Sequence, residues 1–321
     1  VIDAQLIGLD WGTTWLRAYR FGHRGEVAES RHLPAGILRV PTEAGPAAGF
    51  ERAFEDACGD WLRAQPASAI IACGMIGSAQ GWREAAYLEV PTRLDELGRT
   101  LTTVTTQRGA PLHIIPGLIA RGALPEVMRG EETQVAGVLE PAAPAARPDA
   151  ETLIGLPGTH AKWVVVRDRA VVRFHTFMTG EVFAALCSHT ILGRTMREPA
   201  APDHRAFDRG VEVARSPEGR AGILSTMFST RTLGLVGALP PDAQADYLSG
   251  LLVGHELCGL EYLGERLDQV VLVGASDLCH RYRRALGVLG HAPAAIAASA
   301  TERGLWRVAC SAGLVSEGAP C

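Results

Sequence analysis

A chain of 321 residues is longer than one hydrophobic core ordinarily serves, so two domains of about 150 residues each are expected. A composition of 47% hydrophobic, 21% charged and 6% aromatic residues excludes the disordered and fibrous classes. The formal net charge is −4 and the arginines are scattered, so the footprint of a nucleic-acid binder is missing and a small-molecule partner is expected.

The first residues, VIDAQLIGLD, enter a strand with neither a basic n-region nor a small-residue cleavage site ahead of it. No apolar run long enough to span a membrane occurs, and the expected location is the cytoplasm. Cys58, Cys73, Cys187, Cys258, Cys279, Cys310 and Cys321 form no CxxC pair, which fits small buried hydrophobes of a reducing compartment and argues against zinc.

LIGLDWGTTW (6–15) reads as a buried strand broken by glycine into a threonine-rich turn, with WLRAYRF returning as the second arm of a hairpin over 5–21. AFEDACGDWLRA (53–64) has helical spacing, SAIIACGMIGS (68–78) is a buried strand ending in a glycine turn, and LHIIPGL (112–118) is a further strand. This alternation predicts an α/β domain over 1–140. PAAPAARPDA (141–150) lacks periodicity and is the expected linker to a second domain over 151–321.

That domain opens on LIGLPGTHAKW (153–163), a partial echo of the first hairpin, with strands at 152–156 and 162–167, a turn at Arg167–Ala170 and a strand at 171–178. A helix-rich region follows, with YLSGLLVGHELCGLEYLGERL (247–267) its longest periodic segment. Strand QVVLVGAS (269–276), helix LCHRYRRALGVLG, strand AAIAA and helix TERGLWRVACSAGL close the chain. Gly250 and Gly254 fall on one helix face and read as a packing device. Two α/β halves, each opening on a Gly/Thr hairpin, predict duplication with the two turns facing one another across a cleft.

A glycine turn between strands exposes backbone N–H groups, and threonine hydroxyls add donors, so Gly12, Thr13 and Thr14 suit phosphate oxygens. Asp10 ends the strand beside that turn, where a carboxylate suits magnesium. The competing reading makes Asp10 the cap of a tight hairpin. In the second copy Pro157 replaces the aspartate, leaving Gly158, Thr159, His160 and Lys162 as nucleotide candidates. Lys162 has two readings, as a phosphate contact or as a solvated strand lysine. Gly274, Ala275 and Ser276 form a strand-to-helix turn against which a base or ribose can lie, although such turns are common in α/β proteins.

Together DWGTT, ACGMIGS, LPGTHAKW and LVGAS resemble the actin-like ATPase and sugar kinase superfamily, in order and spacing, along nearly the whole chain. GMIGSAQGW (74–82), VMRGEETQVAG (127–137), LPGTHAKWV (156–164), FMTGE (177–181) and LSGLLVGHE (248–256) resemble, more specifically, the 2-dehydro-3-deoxygalactonokinase family. The resemblance implies two duplicated actin-like (ribonuclease H-like) domains, with mixed sheets flanked by helices and a ligand cleft between them. It also implies phosphorylation of the 6-hydroxyl of 2-dehydro-3-deoxy-D-galactonate by ATP with Mg2+, with a sugar acid as partner and neither nucleic acid nor membrane involved; a homodimer is left open.

Phosphoryl transfer asks for charge neutralisation, alignment and a carboxylate within reach of the attacking hydroxyl. The second hairpin offers no aspartate, so the base is sought in MRGEET (128–133), as Glu131 or Glu132; carboxylates in a first helical turn also simply complement the helix dipole. Arg17 and Arg129 are the candidates to grip the substrate carboxylate, Arg17 equally reading as an exposed strand residue. Gly74, Met75, Ser78, Thr179 and Glu181 complete the expected substrate contacts, Glu181 also fitting a plain first-turn helix acid. Trp82 reads as a sugar platform or, more ordinarily, as core; His189 and His255 read as core or interface residues. Another carbohydrate kinase, a polyphosphate-type phosphatase and a non-catalytic ATP- or sugar-sensing module stay open as alternatives.

Overall fold

The computed structural model of the protein describes residues 5–40, 45–139 and 151–315. The chain forms two compact units. One takes the described residues up to Glu151, then Val165–Phe174 and the described residues from Ser299 to Val315; the other takes Thr152–Val164 and His175–Ala298. This differs from a single cut between 140 and 151, because two later stretches return to the first unit. The expected linker, 141–150, lies outside the described residues.

In the first unit β1 (Leu6–Trp11), β2 (Leu16–Phe21) and β3 (Val27–Leu33) form an antiparallel meander. Helix α1 (Pro46–Ala64) leads to β4 (Ala69–Cys73), which pairs parallel to β1. Phe50, Phe54, Ala57 and Trp61 recur at helical spacing on α1 and are buried among Leu9, Trp11, Leu16 and Ile70. Then come β5 (Tyr87–Glu89), β6 (Thr92–Arg93), α2 (Glu96–Arg99), β7 (Thr102–Thr105), β8 (Pro111–Ile114), β9 (Gly117–Ala120), β10 (Glu126–Met128) and α3 (Glu131–Val138). The main sheet runs β3-β2-β1-β4-β8-β7, and a small one runs β10-β9-β5. The segment read as one strand at 112–118 is two: it breaks at Ile115–Pro116, where proline has no N–H for a ladder, and each half joins a different sheet. Strand β3 escaped prediction because its burial is that of a polar edge strand rather than of a buried one.

The second copy begins with β11 (Thr152–Leu156), β12 (Ala161–Arg167) and β13 (Ala170–Phe177). The chain leaves the second unit within β12 after Val164 and re-enters it within β13 at His175. In the first unit Ala170 and Val171 pair antiparallel with Arg93 and Thr92. Helices α4 (Thr179–His189), α5 (His204–Arg215), α6 (Ile223–Thr226), α7 (Ser229–Leu235) and α8 (Gln244–Tyr262) precede β14 (Val270–Val273), α9 (Ser276–Val288) and β15 (Ala295–Ala297). The order β13-β12-β11-β14-β15 repeats β3-β2-β1-β4-β8, so the duplication expected from two similar hairpins is present in the topology. The fold class is α/β, with mixed sheets flanked by helices.

Helix α8 lies unusually close to α5. A Cβ on Gly250 would stand 1.9 Å from the Phe207 carbonyl oxygen, and one on Gly210 would stand 2.2 Å from that of Tyr247. The small-residue face is therefore a close-packing device, as read from its spacing. The last helix, α10 (Ala300–Ser311), belongs to the first unit and packs on α3, with Arg303 Nε donating to the Gly137 carbonyl at 3.0 Å and Arg307 Nη1 to that of Ala136 at 2.9 Å. No described helix is long and apolar enough to cross a membrane.

Candidate active site

In the first unit, register places Asp10 between Arg17 on β2 and Cys73 on β4. Arg17 Nη1 donates to Asp10 Oδ2 at 2.9 Å, while Oδ1 accepts no hydrogen bond from the described residues. Burial raises the Asp10 pKa above the ordinary carboxylate range; the Arg17 charge and hydrogen bond, and the charge of His32, pull it back.

The turn after Asp10 closes through Gly12 N–H donating to the Trp15 carbonyl at 2.9 Å. Its own carbonyls are consumed from the other side: Ile37, Leu38 and Gly36 donate their N–H groups to the carbonyls of Gly12, Thr13 and Thr14 at 3.0, 3.1 and 3.0 Å. The N–H groups of Thr13 and Thr14 find no partner among the described residues. A turn whose acceptors are occupied and whose donors are open presents positive dipole ends to a ligand, which suits an anion.

Two glycines close over this corner. Gly74, at the end of β4, has φ 91°, and a Cβ there would stand 2.9 Å from the Trp11 carbonyl oxygen and 3.6 Å from Asp10 Oδ1. Gly130, ahead of α3, has φ 111°, and its Cβ would stand 3.2 Å from Gly74 Cα. Only residues without side chains let the ends of β1 and β4 and the start of α3 meet this closely.

That meeting separates the two candidate bases. Glu132 is fully buried; its Oε2 accepts from Gly130 N–H at 2.7 Å and its Oε1 from the Thr133 hydroxyl at 3.0 Å. Burial, reinforced by the negative charge of Glu131, pushes its pKa to about 8. Glu131 is half-buried and accepts from Arg129 N–H at 3.1 Å. Asp10, Glu132 and Glu131 also act on the buried Cys73 thiol, and burial with these charges raises it well above the usual thiol range.

Other expected substrate contacts are turned inward. The Arg129 guanidinium is buried, stacked 4.2 Å from the Tyr87 ring centre and donating from Nη2 to the Ala85 carbonyl at 2.8 Å. The buried Ser78 hydroxyl donates to the Met75 carbonyl at 2.8 Å and closes the turn after Gly74. Trp82 packs on Phe50, Phe54 and Trp11, in agreement with its core reading. His255 is half-buried beside the Thr226 hydroxyl, whereas His189 is exposed on α4 rather than in a core.

In the second unit, the turn Gly158–His160 is accessible and is backed by the start of α4. A Cβ on Gly180 would stand 2.3 Å from the Gly158 carbonyl oxygen, and Glu181 N–H donates to the Thr159 carbonyl at 3.0 Å. His160 Nε2 and Glu181 Oε2 pair at 2.5 Å. Gly274, Ala275 and Ser276 are exposed, and Gly274 comes close to Pro157, its Cβ position lying 3.3 Å from that carbonyl oxygen. Lys162 is not a solvated strand lysine: it is buried, and its Nζ donates to Thr176 Oγ1 at 2.7 Å. Glu256 on α8, which no motif or spacing singles out, is a buried carboxylate that receives donors from Trp163, Thr179 and Tyr282. Its signal was present, as an acid inside the otherwise apolar LSGLLVGHELCGL stretch.

The family model described as 2-keto-3-deoxy-galactonokinase matches residues 10–308. The chain is 33% identical over 290 residues to the 2-dehydro-3-deoxygalactonokinase of Escherichia coli (strain K12), covering 90% of this chain and 91% of that one. It is 37% identical over 286 residues to a Rhizobium meliloti (strain 1021) protein provisionally given the same name, with 87% of each chain covered. Among solved structures, a candidate 2-dehydro-3-deoxygalactonokinase from Sinorhizobium meliloti superposes with a TM-score of 0.81 at 34% identity, covering 95% of this chain and 98% of that one.

Proposed function

Since the chain belongs to the 2-keto-3-deoxy-galactonokinase family, we propose that it transfers the γ-phosphoryl group of ATP to the 6-hydroxyl of 2-dehydro-3-deoxy-D-galactonate. The observation that carries the reading within this chain is the corner of the first unit, where Asp10, the open amides of Thr13 and Thr14, and Glu131 at the start of α3 belong to segments that pack directly on one another through Gly74 and Gly130.

Asp10 suits a magnesium ion. It is a hard oxygen donor with Oδ1 available, and no group of three or more His, Cys, Asp or Glu side chains among the described residues forms a metal cage, so its partners would be phosphate oxygens and water. Such an ion supplies charge neutralisation on the transferring phosphoryl group. Thr13 and Thr14 would donate their N–H groups to phosphate oxygens. In the second unit, Gly158, Thr159 and His160 would meet the phosphates, and Gly274–Ser276 at the start of α9 would meet the adenosine.

We assign the base to Glu131. Glu132 is fully buried, both its oxygens accept hydrogen bonds, and burial pushes its pKa to about 8, which disfavours it as the base. Glu131 is accessible and receives the hydroxyl proton as the sugar oxygen bonds to the γ-phosphorus and the bond to the ADP oxygen breaks. The Arg17 side chain gives one described donor to Asp10 and is 42% exposed, which supports a role for its other N–H groups in meeting the carboxylate of the sugar acid. Arg129 and Ser78, both turned inward, would brace the Gly74 and Gly130 turns rather than touch the substrate.

A coupled assay of ADP release with ATP, magnesium and 2-dehydro-3-deoxy-D-galactonate, run beside its gluconate epimer and water alone, tests this reading. Release that depends on the galactonate compound is expected. Release without any sugar acid would favour a phosphatase and overturn the proposal.

A further inference from the structure

Glu256 presents a physical puzzle. It is buried at 2% exposure in α8, where a leucine or methionine would fill the same space without desolvating a charge. Both its oxygens are instead hydrogen-bonded. Oε1 accepts from Trp163 Nε1 at 2.6 Å; Oε2 accepts from the Tyr282 hydroxyl at 2.7 Å and from the Thr179 hydroxyl. Burial pushes its pKa up to about 7 against the pull of these three donors.

The three donors lie on different elements, each of which adjoins or packs on a segment assigned above to the nucleotide. Trp163 is on β12, three residues beyond His160. Thr179 heads α4, whose next residues, Gly180 and Glu181, pack and hydrogen-bond on Gly158 and Thr159. Tyr282 is on α9, which starts at Ser276 beside the Gly274 turn, and Gly274 in turn abuts Pro157.

We propose that Glu256 is a positioning residue for nucleotide binding, a single carboxylate that ties the Gly158–His160 turn, the start of α4 and the start of α9 to one another. This rests on the kinase reading, because it takes ATP as the ligand these segments serve. The carboxylate never touches the ligand. It fixes the spacing between the accessible Gly158–His160 turn and the exposed Gly274–Ser276 turn, so that binding ATP does not have to order them.

The test is calorimetric titration of the full chain with MgATP, together with steady-state kinetics. In Glu256→Gln the shape is kept and the Trp163 bond survives, but the amide NH2 cannot accept from both hydroxyls. MgATP affinity is expected to fall about tenfold, with the KM for ATP rising in step and the KM for the sugar acid moving less. Thr179→Val is expected to lose affinity similarly, and Thr179→Ser to recover it, which keeps the test intact if the glutamine variant fails to fold. Thermal melting without nucleotide reports on folding separately. Variants that bind MgATP as tightly as the parent, whatever their melting temperature, would make Glu256 a mere brace and overturn the proposal. A parent that binds no MgATP would overturn it together with the kinase reading. A parent whose MgATP binding depends on Glu256 but which phosphorylates no sugar acid would sink the kinase reading alone.

Discussion

Asp10 and Arg17 stand opposite each other across the first hairpin, joined by one hydrogen bond from Arg17 Nη1 to Asp10 Oδ2. This bond and the arginine charge oppose the rise in the Asp10 pKa that burial causes. Activity that needs an ionised Asp10 should therefore lose its acid side earlier when the arginine is removed. Arg17→Met is expected to move the acidic limb of the kcat/KM profile to higher pH and to raise the KM for the sugar acid. Asp10→Asn should lower kcat by about a hundredfold or more with the fold intact, as judged by circular dichroism.

Glu131 and Glu132 are adjacent in sequence and opposite in surroundings, and substitution should separate them. Glu131→Gln is expected to lower kcat by about a hundredfold with little change in melting temperature. Similar activity in that variant and the parent would remove Glu131 as the base.

Glu132 should show itself in stability. Its folded pKa of about 8 lies above the 4.5 of a free glutamate, so between those values the folded state holds a proton that the unfolded chain releases. Stability from this group is complete below pH 4.5 and is lost as pH rises through 8. Urea unfolding should show the parent losing stability between pH 5.5 and pH 8.5, by an amount on the order of a few kcal/mol from this group. Glu132→Gln should flatten that dependence. An unaltered slope in the variant would mean that Glu132 ionises in the folded protein much as it does in water.

Gly74 combines positive φ with close backbone contact. Gly74→Ala should cost about 1–3 kcal/mol for the conformation alone, with a further penalty from the approach to the Trp11 carbonyl. Because the displaced backbone carries Asp10, activity should fall even at temperatures where the variant stays folded. Equilibrium unfolding and the ADP-release assay, run on the same preparation, check both effects.

The contact of α5 with α8 gives a control within the second unit. Gly250→Ala places a Cβ against the Phe207 carbonyl and should destabilise by about 1–3 kcal/mol through overpacking, as read by thermal melting. A variant as stable as the parent would show that the two helices can separate at little cost.

Much of the architecture was legible because its signals are local. The Gly/Thr hairpins, the helical spacing of Phe50, Phe54, Ala57 and Trp61, and the small-residue face of α8 each depend on residues a few positions apart. The misses have physical reasons too. Strand β3 is a polar edge strand without a buried run, Pro116 ends a strand that hydrophobicity alone would continue, and α10 returns to the first unit because its partner, α3, lies there.

Side-chain roles divided differently. From sequence, Glu131 and Glu132 were interchangeable, Arg129 read as a substrate hook, Lys162 as a phosphate contact or a solvated lysine, and Glu256 as nothing in particular. Hydrophobic periodicity and turn chemistry determined the two α/β halves, the two glycine turns and the position of Asp10 beside the first, since each depends on neighbours along the chain. Only the tertiary structure decided which charges are buried and what they meet: Glu132 against Gly130 and Thr133, Arg129 on Tyr87, Lys162 on Thr176, and Glu256 among Trp163, Thr179 and Tyr282. Desolvation and hydrogen-bond partners belong to the packing of elements, and for Glu256 those partners come from strands and helices distant in sequence.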